Sequence, residues 1–95
     1  MTFDDGRLFL IEQKLPKITE SDLSLLQAAL ADACVRLTAR GQPVSYLRST
    51  FLPRSERLLS LFRATDVEAV RSVSQSSQAR LDHLEVAIDL PAPRE

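Results

Sequence analysis

The sequence predicts one α+β domain: a four-stranded antiparallel sheet with two helices on one face, ordered strand, helix, strand, strand, helix, strand. Three observations lead there. Leu23, Leu26, Leu30, Ala33 and Leu37 recur at helical spacing. The segment "HLEVAIDL", residues 83–90, alternates apolar and polar residues as a half-buried strand does. Between them, "VSYLRSTFLPRSERLLSLFR", residues 44–63, places two apolar runs around a proline-containing turn, the pattern of a hairpin.

Each element follows in order. Leu8, Phe9, Leu10 and Ile11 form a short run with both parities apolar, which suits a central strand covered on both faces; Pro16 ends it. Thr19 with Asp22 opens the first helix as a capping box, and Gly41 with Pro43 closes it after about five to six turns. The hairpin then runs from Val44 to Leu52 and from Glu56 to Arg63, with Pro53, Arg54 and Ser55 as the turn. A three-residue loop sets Leu52 opposite Glu56, Tyr46 opposite Phe62 and Arg48 opposite Ser60. The aromatic pair would add up to about 1 kcal/mol. Thr65 and Glu68 cap a short second helix with a narrow stripe of Val67, Val70 and Val73. In the last strand Leu84, Val86, Ile88 and Leu90 face one way, and His83, Glu85, Ala87 and Asp89 the other; Pro91 and Pro93 end it before a loose tail. Two right-handed crossovers joined by a hairpin make the split, ferredoxin-like sandwich, one domain over residues 1–95 with its core at about 7–90. One sheet face is left without helices. Leu and Phe on both parities of the first strand and of Leu58 to Phe62 predict that this face is buried against a second copy, a homodimer.

Composition narrows the function. The 95 residues carry a formal net charge of −1, and 10 of the 12 basic residues are Arg. That balance argues against broad binding to nucleic acid, and Phe9 with Phe62 alone do not make an RNA-reading sheet. A single Cys excludes an internal disulfide. The start "MTFDDGRLFLIEQ" lacks the basic-then-apolar order of a secretory signal, and no run approaches the length of a membrane span. A soluble, cytoplasmic chain is expected. With two Gly residues there is no glycine-rich phosphate loop.

With the elements placed, "RLFLIEQKLPKITESDLSLLQAALADACVRL" resembles the first strand and helix of the small bacterial proteins called domain of unknown function 4242. "VSYLRSTFLPRSERLLSLFRATDVEAVR" is similar to their hairpin and second helix, and "LEVAIDL" to their last strand. The resemblance spans roughly residues 7 to 90 and implies a ferredoxin-like homodimer of a kind in which some members bind nickel. Members commonly carry a Cys in the third strand and a His in the second helix. The aligned positions here hold Ser60 and Val73, neither a good nickel ligand, so the resemblance implies the frame with a depleted metal site.

Several residues are candidates for chemistry. His83 and Glu85 are neighbours on one strand face and suit a divalent metal, or a base with its orienting acid; the plain alternative is a solvated or interface face. Tyr46, Arg48, Ser60 and Arg63 are expected to line a site on or beside the open sheet face, where a guanidinium fork would meet a small acidic ligand. Their plain reading is strand arginines paired with surface acids. Arg54 and Arg57 flank the turn and read as solvated. Cys34 lies beside the apolar stripe with no basic residue facing it, which reads as a small core residue rather than a reactive thiol. No catalytic motif is present and no cofactor is expected, a divalent metal such as nickel being the one that the resemblance brings in. The leading expectation is a dimeric, non-enzymatic binding or interaction domain. The alternatives are a small dimeric α/β-barrel-type enzyme, of the cofactor-free monooxygenase or isomerase class, and a module whose open sheet face binds another protein.

Overall fold

The structure, a computed structural model, describes residues 6–94. The acid-containing start and Glu95 lie outside the described residues. The order is β1 (Arg7–Lys14), α1 (Glu20–Ala39), β2 (Val44–Leu52), β3 (Arg57–Ala64), α2 (Val67–Ser76) and β4 (His83–Ala87). The strands form one antiparallel sheet in the order β2-β3-β1-β4. This is the ferredoxin-like α+β sandwich that the periodicities predict. No helix among the described residues is long and apolar enough to cross a membrane.

Alternation assigns the sheet faces. Phe9 and Ile11 of β1 and Leu58, Phe62 and Ala64 of β3 are buried toward the helices. They meet Leu26, Leu30, Ala33 and Cys34 of α1 and Ala69, Val70 and Val73 of α2 in one core. The intervening residues Leu8, Leu10, Leu59 and Leu61 point to the face without helices. Thr19 caps α1, its hydroxyl accepting from the Asp22 N–H at 3.0 Å.

Four local expectations are corrected. The hairpin turn has four residues, Pro53 to Glu56, so Leu52 stands opposite Arg57 and Arg48 opposite Leu61 rather than Ser60. Glu56 adopts φ 58°, donates its N–H to the Leu52 carbonyl at 2.8 Å, and is held from outside by the N–H groups of Leu15 and Lys17. A bulge between Tyr46 and Arg48 then removes the one-residue offset. Tyr46 therefore faces Phe62 as expected, with ring centroids 5.6 Å apart. The third correction is the cap of α2: Asp66, not Thr65, accepts the Glu68 N–H at 3.0 Å, because its carboxylate reaches the second helical N–H directly. Finally, β4 ends at Ala87, whose ladder partner is Leu8 of β1. Ile88 and Leu90 continue the alternation in sequence but are exposed.

Candidate functional site

The structure divides the predicted site residues between the two sheet faces. Arg48, Arg63, His83 and Glu85 lie on the open face; Tyr46 and Ser60 face the helices. Ser60 and Arg63 alternate to opposite faces of β3, and the bulge at Leu47 turns Tyr46 to the parity of Ser49 while Arg48 keeps the opposite one. These six side chains therefore form no single open-face site.

On the open face, leucines run along the centre and charges border them. Arg48 on edge strand β2 pairs with Asp89, just past the opposite edge strand, at 2.8 Å. Edge strands of a four-stranded sheet are about 14 Å apart, so both side chains lean inward over β3 and β1. Arg57 pairs with Glu12 across the β3–β1 ladder at 2.9 Å. His83 Nε2 and Glu85 Oε2 are 2.5 Å apart, both more than half exposed. They contribute two donors, and among the described residues no group of three or more His, Cys, Asp or Glu is arranged to hold a metal. Arg63 stands beside Leu8 and lines, with Arg7 and Asp89, an apolar hollow of about 370 Å³ at the end of the sheet.

On the helix face the polar residues form a chain. Gln27 of α1 donates to the Tyr46 hydroxyl at 2.9 Å. Tyr46 is bonded to the Ser49 hydroxyl at 2.6 Å, and Ser49 to the fully buried Ser60 hydroxyl at 2.6 Å. The Gln27–Tyr46 bond spans the seam between α1 and β2. On one side of it lies a cleft of about 400 Å³, to which α1 contributes Glu20, Leu23, Ser24 and Gln27, and the sheet contributes Ser49, Phe51 and Leu58. On the other side, a shallower groove of about 450 Å³ includes Tyr46, Thr38 and Cys34. Sequence reasoning missed Ser49, Gln27 and Glu20. A signal was present: positions 20, 23, 24 and 27 share one helix face, and three of the four are polar.

Two other buried groups bear on chemistry. Cys34 is buried in the core, and burial pushes its thiol from about 9 up to about 11, which keeps it protonated and unreactive. Gln13, fully buried, donates to the Ser77 hydroxyl at 3.1 Å and the Ala79 carbonyl at 3.3 Å, and its own carbonyl oxygen has no partner. These bonds tie the loop after α2 to β1, a structural task.

No family model matches the chain, and no curated protein matches it. Among solved structures, SCO4226 from Streptomyces coelicolor A3(2) is similar, with a TM-score of 0.68 at 19% identity, over 90% of this chain and 99% of that one. At that identity the likeness shows the fold alone.

Proposed function

We propose that the chain is a cytoplasmic, non-enzymatic binding domain that works as a homodimer, with the open sheet face as the interface between two copies. One observation carries this reading: Leu8, Leu10 and Leu59, half-buried, and Leu61, buried beside them, make a continuous apolar centre on a face that the chain's own helices leave uncovered. The border favours a second copy. Arg48, Arg57 and Arg63 lie on the β2–β3 half, and Glu12, Glu85 and Asp89 on or beyond the β1–β4 half, with Lys14 at a strand end as the exception. A two-fold axis that lies in the interface parallel to the strands, between β3 and β1, brings each basic half over the partner's acidic half. The face measures roughly 19 by 26 Å in strand dimensions, about 1,000 Å² for two copies. Side-chain relief raises that toward the lower end of specific interfaces.

The resemblance to the nickel-binding family enters as part of this proposal, for the frame rather than the metal. Ser60 is fully buried and bonded to Ser49, and Val73 is sealed in the core, so the donor set at those two positions does not fit nickel.

Native mass spectrometry of the untagged chain tests the reading, beside the variant Leu10→Glu. A dimer that becomes a folded monomer on substitution is the expected result. A wild-type monomer at concentrations of about 10 μM, where interfaces of this size associate, would remove it.

A further inference from the structure

The cleft between α1 and β2 has no assigned role, and its hydrogen bonds can be counted. The chain Tyr46–Ser49–Ser60 holds three hydroxyl protons and two internal bonds. Ser60 is fully buried, and Ser49 is its hydrogen-bond partner among the described residues. If Ser60 accepted from Ser49, its own proton would be buried without an acceptor, which is less tolerable than an idle lone pair. Ser60 therefore donates to Ser49, while in the Ser49–Tyr46 bond either hydroxyl can be the donor. The Tyr46 oxygen accepts from the Gln27 amide.

The Gln27–Tyr46 bond sets what the cleft of Glu20, Ser24, Gln27 and Ser49 offers a ligand. Gln27 has directed its amide toward Tyr46, which leaves its carbonyl oxygen available as an acceptor. Glu20 is the one charged lining group, and it has no ion-pair partner among the described residues. Asp22 lies in the same first turn, so two carboxylates outweigh the roughly half positive charge of the helix terminus. The opposite wall is apolar, with Leu23, Phe51 and Leu58, and Phe51 presents a ring that attracts a cation. An extended peptide is the poorer fit, because the bulge at Leu47 interrupts the free edge of β2 with which it would pair.

We propose that this cleft binds a small organic cation, a monoamine with an apolar body. Glu20 meets the ammonium, the Gln27 carbonyl accepts one of its N–H groups, and Leu23, Phe51 and Leu58 contact the hydrocarbon. The site lies on the helix side of the sheet and does not depend on the proposed dimer interface, so a monomeric Leu10→Glu chain retains it.

Titration with phenethylamine, 2-phenylethanol and phenylacetate, followed through backbone amide NMR shifts, tests the proposal. The amine is expected to give saturable shifts at Ser24, Gln27, Ser49 and Phe51, with the alcohol and the carboxylate at least about tenfold weaker, as for the loss of one charge-assisted contact. Glu20→Gln, an exposed change that leaves the core alone, should reduce amine affinity about tenfold and leave the alcohol unchanged. Tyr46→Phe frees the Gln27 amide, so the preference should move toward the alcohol. Amine shifts that are absent from these four amides, equal affinities for amine and carboxylate, or a Glu20→Gln chain that binds the amine as tightly as wild type would each overturn it.

Discussion

Cys34 shows how burial decides the chemistry of a single residue. Its sequence neighbours include Arg36, yet the thiol points into the core, and Arg36 pairs outward with Asp32. With its pKa raised from about 9 to about 11, the thiol is a titrating group with consequences for stability. Below about pH 9 both folded and unfolded chains hold the proton. As the pH rises from about 9 toward 11 the unfolded chain releases it and the folded chain does not, so stability falls. A shift of that size corresponds to roughly 2–3 kcal/mol across the window. Urea midpoints measured from pH 7 to pH 10.5 should fall more steeply for wild type than for Cys34→Ala; parallel curves would contradict the buried-thiol account. At this scale the sequence was readable where a side chain's fate depends on helical period, as for Cys34. It was unreadable where fate depends on partners remote in sequence. Gln13 sits in a strand of ordinary alternation, and nothing local says that it is fully buried and bonded to residues 64 and 66 positions away.

Strands and helices were legible because period is a local property, and element boundaries were less so because they depend on pairing partners. The hairpin illustrates this. Arg54 and Ser55 fit a three-residue loop as well as a four-residue one, and what selects the latter is Glu56, gripped by the backbone of Leu15 and Lys17 from another part of the chain. The bulge at Leu47 then restores the register of Tyr46 with Phe62, so the aromatic pair was foreseen while the face of Arg48 relative to Tyr46 was not. That one residue separates Tyr46 from Arg48, while alternation along β3 alone sets Ser60 and Arg63 on opposite faces. The α2 terminus is a similar case, since Thr65 and Asp66 are both good capping residues and only geometry chooses. Asp66→Ala should therefore cost about 1 kcal/mol of stability, and Thr65→Ala less than half of that. Chemical denaturation of the two variants side by side checks it, and equal losses would return the cap to Thr65.

For the whole molecule, the decisive feature is the asymmetry of the sheet: one face holds the core, and the other holds leucines with opposite charges on opposite halves. A monomer gains little from that distribution, because the pairs Arg48–Asp89 and Arg57–Glu12 are partly exposed and surface pairs contribute at most about 1 kcal/mol each. Across a two-fold interface the same charges set orientation, and this gives a test that apolar substitutions cannot. Arg48→Glu places an acid over the partner's acidic half at Glu85, and Glu85→Arg places a base over the basic half at Arg48, because Arg48, Leu61, Leu10 and Glu85 stand in one row across the sheet. Each variant alone should dimerise about tenfold more weakly than wild type, through like-charge contacts. Mixed in equal amounts, the two should form a heterodimer of near wild-type affinity, because the reversed charges then meet each other while the unaltered Arg48 and Glu85 meet as before. Native mass spectrometry of one isotopically labelled variant with the other unlabelled reads the mixed species directly. Raising salt should weaken the wild-type dimer and narrow the difference between variants. Selective heterodimer formation requires both the face and the two-fold arrangement to be right. A mixture that pairs no better than either variant alone would show that the leucine face meets something other than a second copy in this orientation.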